Sequence, residues 1–440
     1  MRILILCDYF EPVRFIGASR PSDFAKCFVE QGHDVEIITL TCSNWPKDNE
    51  IQNSFIVKRI SVDNNVHFRM YRFFTLFLAK FKKKNNEFKT NTNCKLNKKQ
   101  GFASKIKTYL KSYCSTKVDI VFGKCASRAM YQEAKKEIKN IDVLYTTYGG
   151  FSSILCGQKI KHHFKKIKWI ADFRDGVYYP LFVKANKNYY KFFIKNKCKQ
   201  CDSIVFASSG YLNDSILPSS FKGNVSVVEN GFMDYRFNKP IIHEKITFLY
   251  AGSFYGERHL FPFFSSVSKL DSLLHFLKLE IVFCGDENSF LLFNNEAKEY
   301  NVDKYIIYKG NLSKDDLLQE EIYADVFLIS SWNFQHYSGV LPGKFFEYMS
   351  FGKPIVGYVA GDKPNSLLKE MINNNKLGLC TDEHGVDENE KMFHFISNMY
   401  NSFNKNGFVE YDINMNYIQK FKRNDQAKAI LSTVIKNDTN

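Results

Sequence analysis

Residues 341–357 read LPGKFFEYMSFGKPIVG. Pro342 and Gly343 open a short helix, Gly352 closes it, and Lys353-Pro354 leads into a new apolar run. Lys344 and Glu347 stand three residues apart and so share one helix face. A helix start exposes unpaired N–H groups and a partial positive charge, to which Lys344 adds a full one. Glu347, one turn on, offers the two acceptors that a vicinal diol such as ribose needs. The arrangement suits a nucleotide, with phosphate on Lys344 and the amides and ribose on Glu347. The plain alternative is an i,i+3 ion pair, worth ~0.2–0.5 kcal/mol. A nucleoside triphosphate P-loop is excluded. Three residues separate Gly339 from Gly343 where that motif has four, and Phe345 stands where Ser or Thr would hold magnesium.

Outward from this segment the chain alternates apolar runs with helical patterns. Residues 247–251, 279–284, 305–309, 324–329 and 354–359 read as strands. In the first half, 3–7 and 35–40 are strands flanking an amphipathic helix over 21–30. Residues 119–122, 143–147, 169–172, 203–207 and 225–229 read as further strands. Continuous apolar strands alternating with helices predict an α/β fold of two Rossmann-like parallel-sheet domains facing across a cleft. Ligands of such sheets bind at the carboxyl ends of the strands. The expected domains are 1–238, with a basic insertion at about 62–118, and 245–412. A terminal helix within 413–440 is expected to pack back toward the first domain. The G-x-G-x-x-G fingerprint is missing from the loop between Asp8 and Gly17, which argues against a nicotinamide enzyme.

At 440 residues, 45% hydrophobic and 16% aromatic, the chain is long and apolar enough for two globular cores. No run approaches the ~20 apolar residues of a membrane span. The apolar opening run, Ile3 to Cys7, is shorter than the ~7–15-residue core of a signal peptide, so a cytoplasmic protein is expected. The eleven cysteines are scattered and read as reduced core thiols. The net charge of +15 is uneven. Residues 1–239 carry 41 Lys+Arg against 20 Asp+Glu, and the remainder 20 against 26. Eleven lysines and one acid lie between Lys80 and Lys111. Lysines there, including Lys82, Lys83 and Lys84, follow the aromatic-rich FRMYRFFTLFLAKF. That mixture suits the anionic inner leaflet of a membrane better than nucleic acid. Peripheral attachment at the inner membrane face is therefore expected, and nucleic acid is not an expected partner.

With these motifs in order, the chain resembles a GT-B fold glycosyltransferase of family 4, the bacterial branch that builds surface polysaccharides such as capsule or O-antigen. DYFEPVRFIGASR followed by EQGHDVEIIT resembles the family's opening strand and glycine-bearing loop. ADFRDG resembles its Asp-Leu-Arg-Asp stretch, and VVENGFM the Asn-Gly turn that ends the first domain. FLYAGSFYGER resembles the first strand and diphosphate loop of the second domain, and GVLPGKFFEYMSFGKPIVG the donor-binding segment. One departure stands out. The family usually carries two glutamates eight positions apart in that segment; Glu347 matches the second, and Gly339 occupies the place of the first. Branches without it carry Pro-x-Lys, here Pro342-Gly343-Lys344.

The resemblance implies transfer of a sugar from a nucleoside diphosphate donor, UDP foremost, to a lipid-linked or saccharide acceptor. It implies retention of anomeric configuration, and no metal or other cofactor. For the donor it implies Gly17, Gly252, Ser253, Arg258, Gly339, Val340, Leu341, Lys344 and Glu347. It places Arg174, Asp175 and Arg258 in catalysis, and Arg20 with Lys82–Lys84 on the acceptor and membrane side. Two rivals stay open: a nucleotide-sugar 2-epimerase of the same fold, and a non-catalytic membrane or nucleic-acid binding protein on a decayed transferase fold.

Overall fold

Ile3, Leu4, Ile5 and Leu6 are fully buried, as an apolar run in the middle of a parallel sheet must be. The computed structural model describes residues 1–13, 16–41, 50–52, 55–62, 102–175, 195–214, 217, 221–236, 240–335 and 337–435. These residues divide into two compact units. The first comprises Met1–Ala207, Tyr211–Glu229 and Ala427–Asn440, and the second Ser208–Gly210 and Asn230–Gln426.

The first unit carries β1 (Arg2–Cys7), β2 (Asp34–Thr41), β3 (Glu50–Gln52), β4 (Phe55–Ser61), β5 (Val143–Thr147), β6 (Lys168–Phe173), β7 (Ser203–Phe206) and β8 (Asn224–Val227). They form one sheet in the order β3-β4-β2-β1-β5-β6-β7-β8. All neighbours pair in parallel except β3, which runs antiparallel to β4. The second unit carries β9 (Ile246–Ala251), β10 (Leu279–Cys284), β11 (Ile306–Gly310), β12 (Val326–Trp332), β13 (Ile355–Ala360) and β14 (Gly378–Asp382). Its sheet is wholly parallel, in the order β11-β10-β9-β12-β13-β14. Every residue of β9, β12 and β13 is buried. Two parallel-sheet α/β units are the fold class the sequence predicts.

Four elements and the boundary between the units differ from expectation. Residues 119–122 are not a strand but part of the helix Phe102–Glu137. Ile120, Gly123, Ser127, Met130 and Ala134 are buried at spacings of three and four, the period of a helix face. Three apolar residues after Asp119 cannot by themselves reveal that period. Gly123 permits close packing there, since a Cβ would stand 2.6 Å from the Cβ of Phe151. β3, β4 and β14 were not expected. Lys58 and Arg59 interrupt β4, and β14 opens on a glycine at φ 142°, so neither shows an uninterrupted apolar run. Finally, the units part at Glu229–Asn230 rather than near 238. Asn230 O accepts from Gln426 Nε2 (3.1 Å), and Phe232 exchanges backbone hydrogen bonds with Phe421 and Arg423 at 3.1 and 2.9 Å. Those bonds commit the chain to the second unit. Residues 413–426 group with it as well, and the chain joins the first unit again from Ala427.

Candidate functional site

In the second sheet β9 lies between β10 and β12, and the chain builds outward from this pair in both directions. The carboxyl ends of β9 and β12 are therefore the topological switch point, where open α/β sheets leave a crevice for ligands. Gly252 follows β9 at φ 124°, a conformation that favours glycine, and nothing lies within 4 Å of where its Cβ would be. Arg258 returns to the same loop. Its Nη1 donates to the carbonyl of Ser253, which also accepts from Tyr250 OH at 3.1 Å. The guanidinium lies over the rings of Tyr255 (4.7 Å) and Trp332 (5.4 Å), the latter closing β12. Its Nε has no hydrogen-bond partner among the described residues. Gly252, Ser253 and Arg258 thus come together, with one cation pre-oriented by two aromatic faces.

The helix Gly343–Met349 starts after Pro342, and the chain turns away at Gly352, φ 61°. Phe345, Phe346, Tyr348 and Met349 are buried beneath it. Tyr348 stacks on Phe327 at 4.2 Å and its hydroxyl accepts from Ala251 N at 3.0 Å, tying the helix to the end of β9. Those anchors leave Lys344 and Glu347 on the other face. Lys344 Nζ bonds Glu347 Oε2 at 2.8 Å, so the i,i+3 ion pair is present. It also bonds Glu321 Oε1 at 2.7 Å. Arg236 Nη1 closes the ring, 3.0 Å from Glu347 Oε1 and 3.5 Å from Glu321 Oε2. Two cations and two carboxylates make one network. Burial, then repulsion from Glu347, pushes the Glu321 carboxyl up against the pull of Lys344. Burial also opposes charge on Glu347, but Lys344 and Arg236 outweigh it and hold that carboxyl below its usual value. Lys344 is disfavoured as a cation by burial, yet the two carboxylates raise it overall.

The remaining donor-side residues take different positions. Gly339 adopts φ 72°, and a Cβ there would meet Gly210 Cα at 2.4 Å. A glutamate does not fit this backbone. The Gly339 carbonyl accepts from Ser208 Oγ at 2.6 Å and that of Val340 from Ser331 Oγ at 3.3 Å. Leu341 is packed in the core with Phe345 and Phe346, so its side chain is not a ligand contact.

The first sheet has its own switch point, at the carboxyl ends of β1 and β5. Asp8 follows β1, Gly149 and Gly150 follow β5, and Arg174 follows β6. Arg174 pairs with Asp175 at 3.1 Å. Its guanidinium fills the space over Gly17, where a Cβ would be 2.5 Å from Nη1. Gly17 therefore admits Arg174 rather than leaving its face open to a diphosphate. Arg20 is corrected too. It is buried, with Nε and Nη2 gripping both oxygens of Asp172 at 2.7 and 2.8 Å. It also donates to the carbonyls of Val228 and Glu229 at 2.8 Å each. A guanidinium so occupied ties β6 to the end of the unit and is not available to acceptor or phosphate. Lys82, Lys83 and Lys84 lie outside the described residues.

Asp8, Arg236 and Glu321 were missed in the sequence. Arg236 lies just past the Asn-Gly turn, and Glu321 sits in LLQEEIY, which reads as a solvated helix. Their partners are remote in the chain, so no local pattern marks them. Among the described residues no group of three or more His, Cys, Asp or Glu is placed to hold a metal ion. No helix among them is long and apolar enough to cross a membrane.

Residues 232–407 match the family model described as glycosyl transferases group 1. No curated protein sequence matches the chain. Solved structures do. An α,α-trehalose-phosphate synthase (UDP-forming) from Burkholderia xenovorans, in complex with glucose-6-phosphate, aligns at TM-score 0.61 and 11% identity, covering 99% of this chain and 100% of that one. A sucrose-phosphate synthase from Thermosynechococcus elongatus aligns at 0.59 and 12%, covering 98% and 97%. Anabaena HepE in complex with UDP aligns at 0.59 and 11%, covering 98% and 99%. At such identities the structures establish the GT-B fold. Together with the family match over the second unit, they support a GT-B glycosyltransferase.

Proposed function

We propose that the protein transfers a sugar from a nucleoside diphosphate, UDP foremost, to a saccharide acceptor carried on a lipid, in the making of a bacterial surface polysaccharide. The observation that carries this reading is the switch point of the second unit. Arg258 is held there on two aromatic faces beside an open Gly252, within the segment that matches the family model. Arg258 meets the diphosphate and stabilises the charge that grows as it leaves. Lys344 shares that charge from the start of its helix, and Glu347 takes the ribose hydroxyls. Each Glu347 oxygen already accepts from one cation and has capacity for a further donor. These side chains do the work that a metal does elsewhere, so turnover needs none. The leaving diphosphate assists attack on its own face, and the anomeric configuration is retained. The UDP bound to HepE and the UDP-forming synthase favour uridine over other bases. The basic first half holds the protein at the inner membrane face, where a lipid-linked acceptor lies.

The test is UDP release from UDP-glucose, UDP-galactose and UDP-N-acetylglucosamine, with bacterial lipid extract as acceptor and EDTA present. Extract-dependent release that Arg258→Ala lowers at least tenfold supports the proposal. Release from none of the three, or release that needs added metal, contradicts it.

A further inference from the structure

At the switch point of the first unit a buried carboxylate stands with one oxygen unused. Asp8 is 6% exposed. Its Oδ1 accepts from the Ser152 hydroxyl, and Ser153 N–H also serves the carboxylate. Both serines lie in the first turn of the helix Phe151–His163, whose own N-cap, Gly150, has no side chain to offer. Capping thus accounts for one oxygen. Oδ2 has no hydrogen-bond partner among the described residues. It lies against Gly150, where a Cβ would be 2.6 Å away. Over the neighbouring Gly149 lie the Tyr9 ring, 3.4 Å from the corresponding position, and Arg174 Nη2, 3.7 Å from it. Arg174 Nε is likewise buried and unpartnered. A carboxylate oxygen without a partner therefore lies against Gly150, and the guanidinium whose Nε is unpartnered reaches Gly149 with its Nη2, at the crevice where the topology puts a ligand. Buried polar atoms are rarely left unpaired, and each one calls for an explanation.

We propose that Asp8 and Arg174 form a hydroxyl-binding subsite for the sugar acceptor over the Gly149–Gly150 floor, with Asp8 Oδ2 accepting from the hydroxyl and Arg174 donating to its oxygen. This rests on the transferase reading above. A hydroxyl is donor and acceptor at once, and so satisfies both orphan atoms. An anion does not fit, because Asp8 repels it. The fold also opposes the charged form of Asp8: burial pushes its carboxyl up to about 6, with Ser152 and Arg174 pulling the other way. A charge kept at a cost to stability belongs more often to function than to structure. The ionisable neighbours are Arg174 and Asp175 beyond β6, Cys7 on β1 and Cys156 on the helix. Burial pushes the Cys7 thiol up to about 12 and raises that of Cys156, so both stay neutral at physiological pH.

The probe is a set of methyl glycosides of glucose, galactose, mannose and N-acetylglucosamine, added to the full chain with UDP and followed by saturation-transfer NMR. Asp8→Asn keeps an oxygen for Ser152, so it folds and keeps its UDP-induced thermal shift. Its glycoside affinity at about pH 7.5 falls roughly ten- to hundredfold, the loss of a hydrogen bond to a charged group. Wild-type affinity declines as pH drops through about 6, and that of the variant stays flat. Gly150→Ala places a methyl against Oδ2 and loses glycoside binding while keeping the UDP shift. Equal affinity in Asp8→Asn and wild type overturns the subsite, as does a flat wild-type pH profile. So does a wild type that UDP stabilises but that takes up no glycoside; in that case the transferase reading stands. If UDP does not stabilise the wild type either, the transferase reading itself fails.

Discussion

The two sheets share a topology but fill their switch points with opposite chemistry. At the mouth of the second, Arg258 is presented on Tyr255 and Trp332, a cation awaiting an anion. At the mouth of the first, a carboxylate oxygen of Asp8 has no hydrogen-bond partner among the described residues. The arginines of the first unit teach the same lesson from the other side. Arg20, expected on the acceptor side, is instead held by the buried Asp172 and by the carbonyls of Val228 and Glu229. Which charge is spent on the fold and which is left for a ligand depends on partners that sequence does not bring together.

Arg20→Ala is the harshest way to break the comparison. It leaves Asp172 fully buried without its cation, at a cost of about 3–5 kcal/mol in urea unfolding. A stable Arg20→Ala protein with lost transfer would place Arg20 with the ligand after all. Lys344→Ala comes next. Glu321, 1% exposed, keeps Arg236 at 3.5 Å, so the loss is about 2 kcal/mol. Binding data on that variant must be taken well below its melting temperature. Gly339→Glu costs more than about 1 kcal/mol, from its φ of 72° and the contact with Gly210. A Gly339→Glu chain of undiminished stability would show that this backbone accepts a glutamate.

The smallest effect is a gain. Asp8 titrates near 6 in the fold, above the ~3.9 of an unfolded chain. The folded state holds the proton more tightly, so stability falls as pH rises through that interval. Asp8→Asn removes this cost. The variant melts above wild type at about pH 7.5, and the gap closes toward pH ~4. A variant that melts lower at both pH values would make Asp8 a structural cap and nothing more.

The sheets were legible because β1, β9 and β13 are buried on both faces and read as unbroken apolar runs. β4 was not, since Lys58 and Arg59 interrupt its apolar run. Residues 119–122 misled for the opposite reason: the apolar run Ile120 to Phe122 looked like a strand, and the helical period shows only over Ile120 to Ala134. Lys344 and Glu347 were legible because a helix turn brings them together, whereas Glu321 and Arg236 reach them only through tertiary packing. Asp8 was hidden in plain view at the end of the first strand. Nothing in CDYFEP says that its second oxygen lies against a glycine more than a hundred residues away.

The central claim is a metal-independent uridine diphosphate site built on Arg258, and calorimetric titration of UDP in EDTA tests it directly. The account predicts saturable binding by the wild type, a stabilisation of about 2.7 kcal/mol at ~100 times the dissociation constant, and at least tenfold weaker binding by Arg258→Ala. No UDP binding by the wild type, or equal affinity in the two proteins, would contradict it.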